Sequence, residues 1–97
     1  MAYTFDPKKS HKNKADPSRG FGFEWMEKFE WDTAIQILDK RREYGEIRYI
    51  TYGMIEGRLR VAVWTPRDGG KRVISLRKAN IRERKNYEEK IAKKRLH

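Results

Sequence analysis

Three segments of alternating apolar and polar residues stand out in the second half of the chain. They cover residues 47–54, 58–65 and 71–76, and they are rich in β-branched and aromatic side chains. Their connections are short and turn-like: Glu56-Gly57 in the first and Pro-Arg-Asp-Gly-Gly over 66–70 in the second. Connections of this kind join neighbouring antiparallel strands. The pattern therefore predicts a three-stranded antiparallel meander.

The central segment, 58–65, also predicts how the sheet is covered. One set of alternating side chains is wholly aliphatic: Leu59, Val61 and Val63. The other set holds two arginines among its four members: Arg58, Arg60, Ala62 and Trp64. Such a split is typical of a strand that is buried on one side only. We therefore expect the aliphatic set to face the core and the other face to carry arginine.

The first half of the chain predicts two short helices and two further strands. A short strand over 3–5 precedes Asp6-Pro7, a favourable helix start because aspartate accepts from free backbone N–H groups and proline has its φ already set. We expect a basic surface helix over 7–15 and, from apolar residues at three-residue steps, a second helix over 23–29. Residues 30–32 end that helix, β-formers over 33–38 predict a strand, and the charged run 39–46 connects it to the meander.

Asn80 and Glu83 have the spacing of a capping box, which predicts a C-terminal helix running to about residue 94. The expected fold class is α+β, with an antiparallel sheet, two short N-terminal helices and one C-terminal helix. A chain of 97 residues supports one thin core, so we expect a single domain over 1–97.

Charge is distributed unevenly along the chain. The formal net charge is +10, from 24 Lys and Arg against 14 Asp and Glu. Residues 1–44 hold 9 basic and 8 acidic side chains, whereas residues 45–97 hold 15 and 6. An excess of positive charge favours an anionic partner such as nucleic acid or an acidic protein, although small proteins also carry solvated basic faces. The C-terminal half is the predicted anion-binding half.

Composition excludes several classes of protein and of site. Without cysteine there is no disulfide framework, thiolate metal site or thiol nucleophile. The longest wholly apolar run, 61–64, is far too short for a membrane span, and the N-terminus lacks the pattern of a secretion signal. We expect a cytoplasmic protein.

Metal and serine-hydrolase chemistry find no support in the residues. No cluster of carboxylates or closely spaced histidines is visible, since His11 and His97 are far apart, and no glycine-flanked serine is present. We therefore expect neither metal nor cofactor. What remains is phosphate chemistry, in which arginine and lysine stabilise charge on an RNA phosphodiester while the 2′-hydroxyl of the RNA attacks it. Arginine suits this role because its planar fork holds two phosphate oxygens.

Ten residues are the candidates for this chemistry. The predicted catalytic residues are Arg77, Arg48, Glu46, Glu83 and Tyr87. The predicted RNA-binding residues are Arg60, Arg72, Lys78, Arg84 and Lys85. Among them Arg77 comes first for phosphate stabilisation, because it ends the last strand where sheet and helix meet.

Structural roles compete with each of these functional ones. An arginine on an exposed sheet face commonly guards against edge association. Glu83 has a place in the capping box, Tyr87 has the position of a residue that docks the helix, and His11 has that of a surface residue. The three tryptophans are more typical of a core or a partner interface than of base stacking.

The sequence resembles the BrnT-type toxins of bacterial type II toxin-antitoxin systems. The similarity begins with Phe5-Asp6-Pro7-Lys8-Lys9 and Asn13, and continues through Gly45-Glu46-Ile47-Arg48-Tyr49 and the Arg58-Leu59 strand. Its most specific block is Arg72-Val73-Ile74-Ser75-Leu76-Arg77-Lys78-Ala79, followed by Glu83, Arg84 and Tyr87. One departure is plain: where the family has Lys-His-Gly between its first two helices, residues 15–22 contain no histidine.

The resemblance implies a RelE-like fold and a ribonuclease that blocks translation. It implies neutralisation by a BrnA-type antitoxin, a small ribbon-helix-helix DNA-binding protein, and binding of the pair to its own operator DNA. Because the family's histidine is missing, catalysis in this chain would rest on other residues or be weak.

Two other classes of function fit the same composition. A non-catalytic nucleic-acid-binding module needs only the basic half and an arginine-bearing sheet. A pure interaction protein needs only an acidic partner for its basic surface. A neighbouring gene for a small ribbon-helix-helix protein would favour the toxin over both.

Overall fold

The computed structural model describes residues 3–95, and its helices and strands follow the order expected from the sequence. The elements are β1 (Tyr3–Thr4), α1 (Pro7–Ala15), a 3-10 helix (Phe23–Lys28), β2 (Glu30–Leu38), β3 (Tyr49–Ile55), β4 (Arg58–Arg67), β5 (Gly70–Lys78) and α2 (Ile81–Arg95). The α+β class is confirmed. None of the helices within 3–95 has the length and apolar character that a membrane crossing requires.

The sheet has the strand order β1-β5-β4-β3-β2. Strands β3 to β5 form the predicted three-stranded antiparallel meander, and β2 extends it by pairing antiparallel with β3. The expectation of a wholly antiparallel sheet is wrong at one edge, because Tyr3 and Thr4 pair in parallel with Lys71 and Arg72. Turn motifs in the sequence predict pairing only between consecutive strands. The pairing of β1 with β5 joins residues almost seventy positions apart, so no turn motif predicts it. The sheet is therefore mixed.

Both predicted helix starts are capped as expected. The Asp6 carboxylate accepts from the backbone N–H of Lys8 at 2.9 Å. In α2 the backbone N–H of Glu83 donates to Asn80 Oδ1 at 2.8 Å, and Glu83 Oε1 accepts from the backbone N–H of Asn80 at 2.9 Å. This reciprocal pair is a capping box, and it fixes the point at which the chain leaves β5 and enters the helix.

Two bounds in the first half differ from those predicted. The second N-terminal helix is a 3-10 helix, a form that suits a short apolar segment with three-residue steps. Strand β2 begins at Glu30, whereas Thr33 was expected, and its pairing with β3 is irregular between Glu30 and Ile35. That irregularity interrupts the alternation from which the strand was predicted, so only its regular second half was visible in the sequence.

The core lies on the face of the sheet that the sequence assigned to arginine, so that assignment was wrong. Side chains paired across strands share a face, and the row Thr51, Ala62 and Leu76 is fully buried. It packs under aromatic residues of the 3-10 helix region, including Phe23 and Phe29. A Cβ on Gly53 would lie 2.3 Å from the Phe29 ring, so glycine lets that ring lie against β3. We call this side the core face.

The opposite side, which we call the arginine face, carries the row Tyr52, Val61 and Arg77. Val61 and Val63, expected in the core, are buried on this second face. Helix α2 crosses its β2 side, where the Tyr87 hydroxyl donates to the carbonyl oxygen of Thr33 at 2.8 Å. Because both faces are covered, burial alternates less along β4 than a one-sided sheet would show.

Candidate active site

A hollow of about 330 Å³ opens on the arginine face. Its floor is formed by side chains of β3, β4 and β5, among them Ile50, Tyr52, Val61, Val63, Ile74 and Ser75. Its rim holds four arginines from three parts of the chain, the segment after α1, the connection between β2 and β3, and β5: Arg19, Arg41, Arg48 and Arg77. We call this the arginine hollow. Its apolar floor lowers the local dielectric, which strengthens the attraction between an arginine and a bound anion.

Arg77 is fixed by a two-pronged ion pair. Its Nη1 and Nη2 atoms donate to the two carboxylate oxygens of Glu83, both at 2.8 Å, and Nη1 also donates to the carbonyl oxygen of Lys78 at 3.2 Å. The hydrogen bond from Arg77 holds the pKa of Glu83 below its usual value, and the same bond raises the pKa of Arg77. Both groups are therefore charged at neutral pH. The capping box anchors Glu83, and Glu83 in turn orients Arg77.

Arg48 has a second carboxylate partner. Its Nε donates to Glu46 Oε2 at 2.8 Å, and its guanidinium lies over the Tyr44 ring at 4.1 Å from the ring centroid. Glu46 also lies 3.7 Å from Arg67. The stacking and the ion pair together restrict Arg48, whose side chain is 26% exposed. The structure thus brings Arg48 and Arg77 to one hollow, with Glu46 beside Arg48.

The other two arginines of the hollow come from connecting segments. Arg41 donates from Nε and Nη2 to the buried carboxylate of Asp39 at 2.8 and 2.7 Å, and Tyr44 donates to the same carboxylate at 3.0 Å. The hydrogen bonds from Arg41 keep the pKa of Asp39 well below its usual range. Arg19 donates to Asn13 Oδ1 at 2.9 Å and to Ser75 Oγ at 3.3 Å.

Tyr52 supplies a hydroxyl group to the floor of the hollow. Burial raises the pKa of this phenol, and the nearby Glu83 carboxylate raises it further, while Arg77 and Arg41 act in the opposite direction. The phenol is therefore protonated at neutral pH. It is a hydrogen-bond donor placed among four guanidinium groups.

The ten residues predicted from the sequence do not form one site. Arg48 and Arg77 line the arginine hollow, while Glu46 and Glu83 hold them from the rim. Tyr87 binds a backbone carbonyl of β2, which is the docking role. The RNA-binding candidates Arg60, Lys78 and Arg84 meet in a separate hollow beside α2. Arg72 pairs in register with Thr65, and Lys85 is exposed on α2.

Sequence reasoning missed three residues of the hollow: Arg19, Arg41 and Tyr52. Arg19 follows a turn-forming segment and Arg41 belongs to a charged run, so each resembled ordinary surface charge. Only the path of the two connections brings them beside β5 and β3. Tyr52 had a usable signal, because it alternates in step with its strand and lies in the same cross-strand row as Arg77, with only Val61 between them.

Within residues 3–95, no group of three or more His, Asp or Glu side chains is placed to hold a metal ion. His11 is exposed on α1, and His97 lies outside the described residues. The acidic groups around the arginine hollow are each engaged by an arginine. The chemistry available there is cationic and phenolic.

The profile of one family, described as the ribonuclease toxin BrnT of type II toxin-antitoxin systems, matches residues 5–83. The chain belongs to the BrnT family. The resemblance seen in the sequence is thereby confirmed. Comparisons with curated proteins and with solved structures gave no match.

The BrnT match spans the residues that build the arginine hollow. Arg19, Arg41, Arg48 and Arg77 all lie within it, and it ends at Glu83, the carboxylate that orients Arg77. Most of α2, with Arg84, Lys85 and Tyr87, lies beyond the matched residues.

Proposed function

We propose that this BrnT-family chain is an endoribonuclease whose active site is the arginine hollow. The observation that carries the proposal is that four arginines from three separate segments converge on one hollow, each within ion-pair distance of its own carboxylate. A carboxylate engages only some of the five N–H donors of a guanidinium, so donors remain for a phosphate. Groups that are already oriented stabilise a transition state without reorganising during the reaction.

In the proposed reaction the 2′-oxygen of the RNA attacks the adjacent phosphorus, and the bond from phosphorus to the 5′-oxygen breaks. Arg77 and Arg48 stabilise the negative charge that grows on the non-bridging phosphate oxygens. Glu46, an exposed carboxylate beside Arg48, accepts the proton of the 2′-hydroxyl. Tyr52 donates its proton to the departing 5′-oxygen. The products are a 2′,3′-cyclic phosphate and a 5′-hydroxyl.

Glu83 and Tyr87 take supporting roles in this proposal. The carboxylate of Glu83 already accepts from Arg77 and from the backbone of Asn80, so it positions Arg77 and exchanges no proton with RNA. The hydroxyl of Tyr87 holds α2 against β2. The family's missing histidine is replaced here by the pair Glu46 and Tyr52.

The proposed chemistry requires no metal ion. Purified protein should therefore cleave single-stranded RNA in EDTA and leave 2′,3′-cyclic phosphate ends, which mass spectrometry of the fragments identifies. Cleavage that stops on chelation and returns with magnesium would refute the metal-free mechanism. RNA binding without cleavage, in EDTA and in magnesium alike, would favour the non-catalytic nucleic-acid-binding module.

The proposal extends to the protein's setting in the cell. We propose a cytoplasmic toxin with a RelE-like fold that blocks translation by cutting RNA. Its partner would be a BrnA-like ribbon-helix-helix antitoxin, through which the pair binds operator DNA. The family description supports the toxin and antitoxin classes. Co-purification of the chain with the product of the neighbouring small gene tests the identity of the partner.

A further inference from the structure

A second basic hollow, of about 380 Å³, lies where β4 begins, β5 ends and α2 passes. Four cationic side chains line it, two from the start of β4, one from the end of β5 and one from α2: Arg58, Arg60, Lys78 and Arg84. Glu88 is its one acidic lining residue within the described part of the chain. We call it the helix-side hollow.

Arg60 is the most unusual member of the helix-side hollow. It is only 8% exposed, and its Nε is buried without a hydrogen-bond partner. Its guanidinium lies over the Phe21 ring, 4.8 Å from the centroid, so the flat side is packed. Burial lowers the pKa of Arg60, and the neighbouring Arg58 lowers it further. A buried arginine with an unsatisfied donor is unfavourable unless an anion or water completes its contacts.

The helix-side hollow differs from the arginine hollow in its charge balance. Each arginine of the arginine hollow has a carboxylate within 4 Å, whereas no salt bridge found within residues 3–95 includes any of the four cations of the helix-side hollow. Glu88, one helical turn from Arg84, does not come within ion-pair distance of it. The helix-side hollow therefore carries positive charge that the protein itself does not neutralise.

The two hollows are neighbours on either side of the junction between β5 and α2. Arg77 lines the arginine hollow, and the next residue, Lys78, lines the helix-side hollow. Likewise Glu83 orients Arg77, and the next residue, Arg84, lines the helix-side hollow. Consecutive side chains of a strand point to opposite faces, so Arg77 and Lys78 reach their hollows from opposite sides of β5. An RNA strand that contacts both hollows therefore passes around the end of β5, where the chain enters α2.

We propose that the helix-side hollow binds a backbone phosphate of the RNA other than the phosphate that is cleaved. This inference rests on the proposed function, and it assigns binding to the second hollow while cleavage stays in the first. Arg60 provides the buried donor, and the exposed residues Arg58, Lys78 and Arg84 provide the outer ones. A phosphodiester fits because it is a compact anion with two free oxygens, which matches a fork donor inside a cluster of positive charge.

The test measures binding of an RNA that cannot be cleaved. The probe is a short single-stranded RNA carrying 2′-O-methyl groups throughout, and its affinity is measured by fluorescence anisotropy over a range of salt concentrations. The double variant Lys78→Gln with Arg84→Gln should bind more weakly, and its slope of log affinity against log salt should fall by roughly two. The matched control, Lys93→Gln with Lys94→Gln at the end of α2, should change the slope less.

Equal slopes for the two double variants would overturn the proposal. The readout does not depend on cleavage, so a protein that fails to cut RNA but shows the expected loss of binding refutes the proposed function and leaves the second site standing. Poly-glutamate serves as the competing probe. A Lys78 and Arg84 variant that keeps RNA affinity but loses poly-glutamate affinity would assign the hollow to an acidic protein segment and overturn the phosphate site.

Arg60 provides an independent check. Replacing a buried arginine by methionine keeps much of its volume and removes the unpaired charge, so Arg60→Met should fold and unfold at an equal or higher urea concentration. If Arg60 binds the phosphate, Arg60→Met should bind the 2′-O-methyl RNA more weakly, and the slope of its log affinity against log salt should be smaller. A folded Arg60→Met protein with wild-type affinity would show that Arg60 only packs against Phe21, and the proposal would fail.

Discussion

At the scale of single residues, Arg77 shows how a surface arginine becomes a fixed donor. Two carboxylate oxygens of Glu83 hold it at 2.8 Å, and Glu83 is itself held by the capping box of α2. The sequence predicted both the strand end and the capping box, because each depends on neighbours only a few positions away. The ion pair between Arg77 and Glu83 was not predicted; Arg77 was the first candidate because it lies where the last strand meets the helix.

Replacing Arg77 tests its proposed contact with the phosphate. Loss of one well-placed donor to a developing negative charge typically lowers the rate on the order of 100-fold, so Arg77→Ala should relieve toxicity in cells and slow RNA cleavage by that factor. Arg77→Lys should remain strongly impaired, since lysine keeps the charge but lacks the fork.

Arg95→Ala, an exposed arginine at the end of α2, is the matched control and should cleave RNA at the wild-type rate. Circular dichroism should show that all three variants are folded. An Arg77→Ala protein that is as toxic as the wild type, or that does not fold, would contradict the assignment.

Protonation of Asp39 is expected to lower the stability of the folded protein at acidic pH. Its carboxylate is buried and accepts from Arg41 and Tyr44, and the hydrogen bonds from Arg41 lower its pKa in the folded protein. A group whose pKa is lowered by folding stabilises the protein above its unfolded pKa of about 4 and ceases to do so as the pH falls towards the folded pKa. Stability should therefore drop between about pH 5 and pH 2.

Asp39→Asn isolates this contribution. The variant should lose about 2 kcal/mol of unfolding free energy at pH 7, because charge-assisted hydrogen bonds to Arg41 are lost. It should also show a shallower decrease in stability below pH 5. Urea unfolding at a series of pH values measures both quantities. Parallel pH profiles for the variant and the wild type would show that Asp39 does not set the acid limit.

At the scale of elements, α1 is attached to the sheet by one amide. Asn13 is buried, and its Nδ2 donates to the carbonyl oxygens of Phe21 and Leu76 at 2.7 and 3.0 Å. Its Oδ1 accepts from Arg19, so the same side chain positions an arginine of the arginine hollow. The helix has almost no apolar stripe, as the sequence predicted, and this polar contact takes the place of hydrophobic docking.

Asn13→Ala should therefore lower the free energy of unfolding by more than a typical substitution in a surface helix does. Two buried carbonyl groups lose their donor, which costs about 1–3 kcal/mol for each group left unsatisfied. Asn86→Ala, an exposed asparagine in α2, is the matched control and should change stability by less than about 0.5 kcal/mol. Both variants are compared by urea unfolding. A loss at Asn13 no larger than that at Asn86 would show that α1 is held by other contacts.

The elements were predictable, but the two faces of the sheet were not. Alternation in β4 separates Leu59 and Val61 from Arg60 and Ala62, and this separation is correct. Which set faces the core depends on what packs there, and Arg60 lies on the core side because its guanidinium stacks on Phe21. Phe21 and Arg60 are nearly forty positions apart in the sequence, so no local sequence pattern predicts their contact. The same holds for Arg19 and Arg41, which reach the hollow through the paths of their connections.

At the scale of the whole molecule, the surface left for a partner differs from the one that the sequence suggested. The three tryptophans were expected to need covering, but Trp64 is only 6% exposed and packs against Trp31 and Tyr49. Apart from Ile81 at the start of α2, the large exposed apolar side chains within residues 3–95 are Ile37 and Leu38 at the end of edge strand β2 and Ile47 in the following connection. They lie along the segment that also carries Arg41 and Arg48.

This arrangement predicts how an antitoxin inhibits the enzyme. An edge strand with free backbone groups accepts an added strand, and exposed isoleucines beside it offer anchoring sites. A partner segment that combines apolar anchors with acidic side chains would bind along β2 and place its acids in the arginine hollow, where they compete with the RNA phosphate. Inhibition on this view is occlusion, and RNA cleavage should fall in proportion as the product of the neighbouring small gene is titrated in.

Ile47→Asp should weaken that complex, because it places a charge at the most exposed of the three β2-side anchors, which is 58% exposed, and repels an acidic partner. Ile81→Asp is the matched control, since Ile81 is 64% exposed but begins α2, where an aspartate is well tolerated. Calorimetric titration of both variants should show a loss of affinity for Ile47→Asp alone, and a higher partner concentration should be needed to stop cleavage. A tight complex that still cleaves RNA at the rate of the free protein would rule out occlusion and place the antitoxin on another surface.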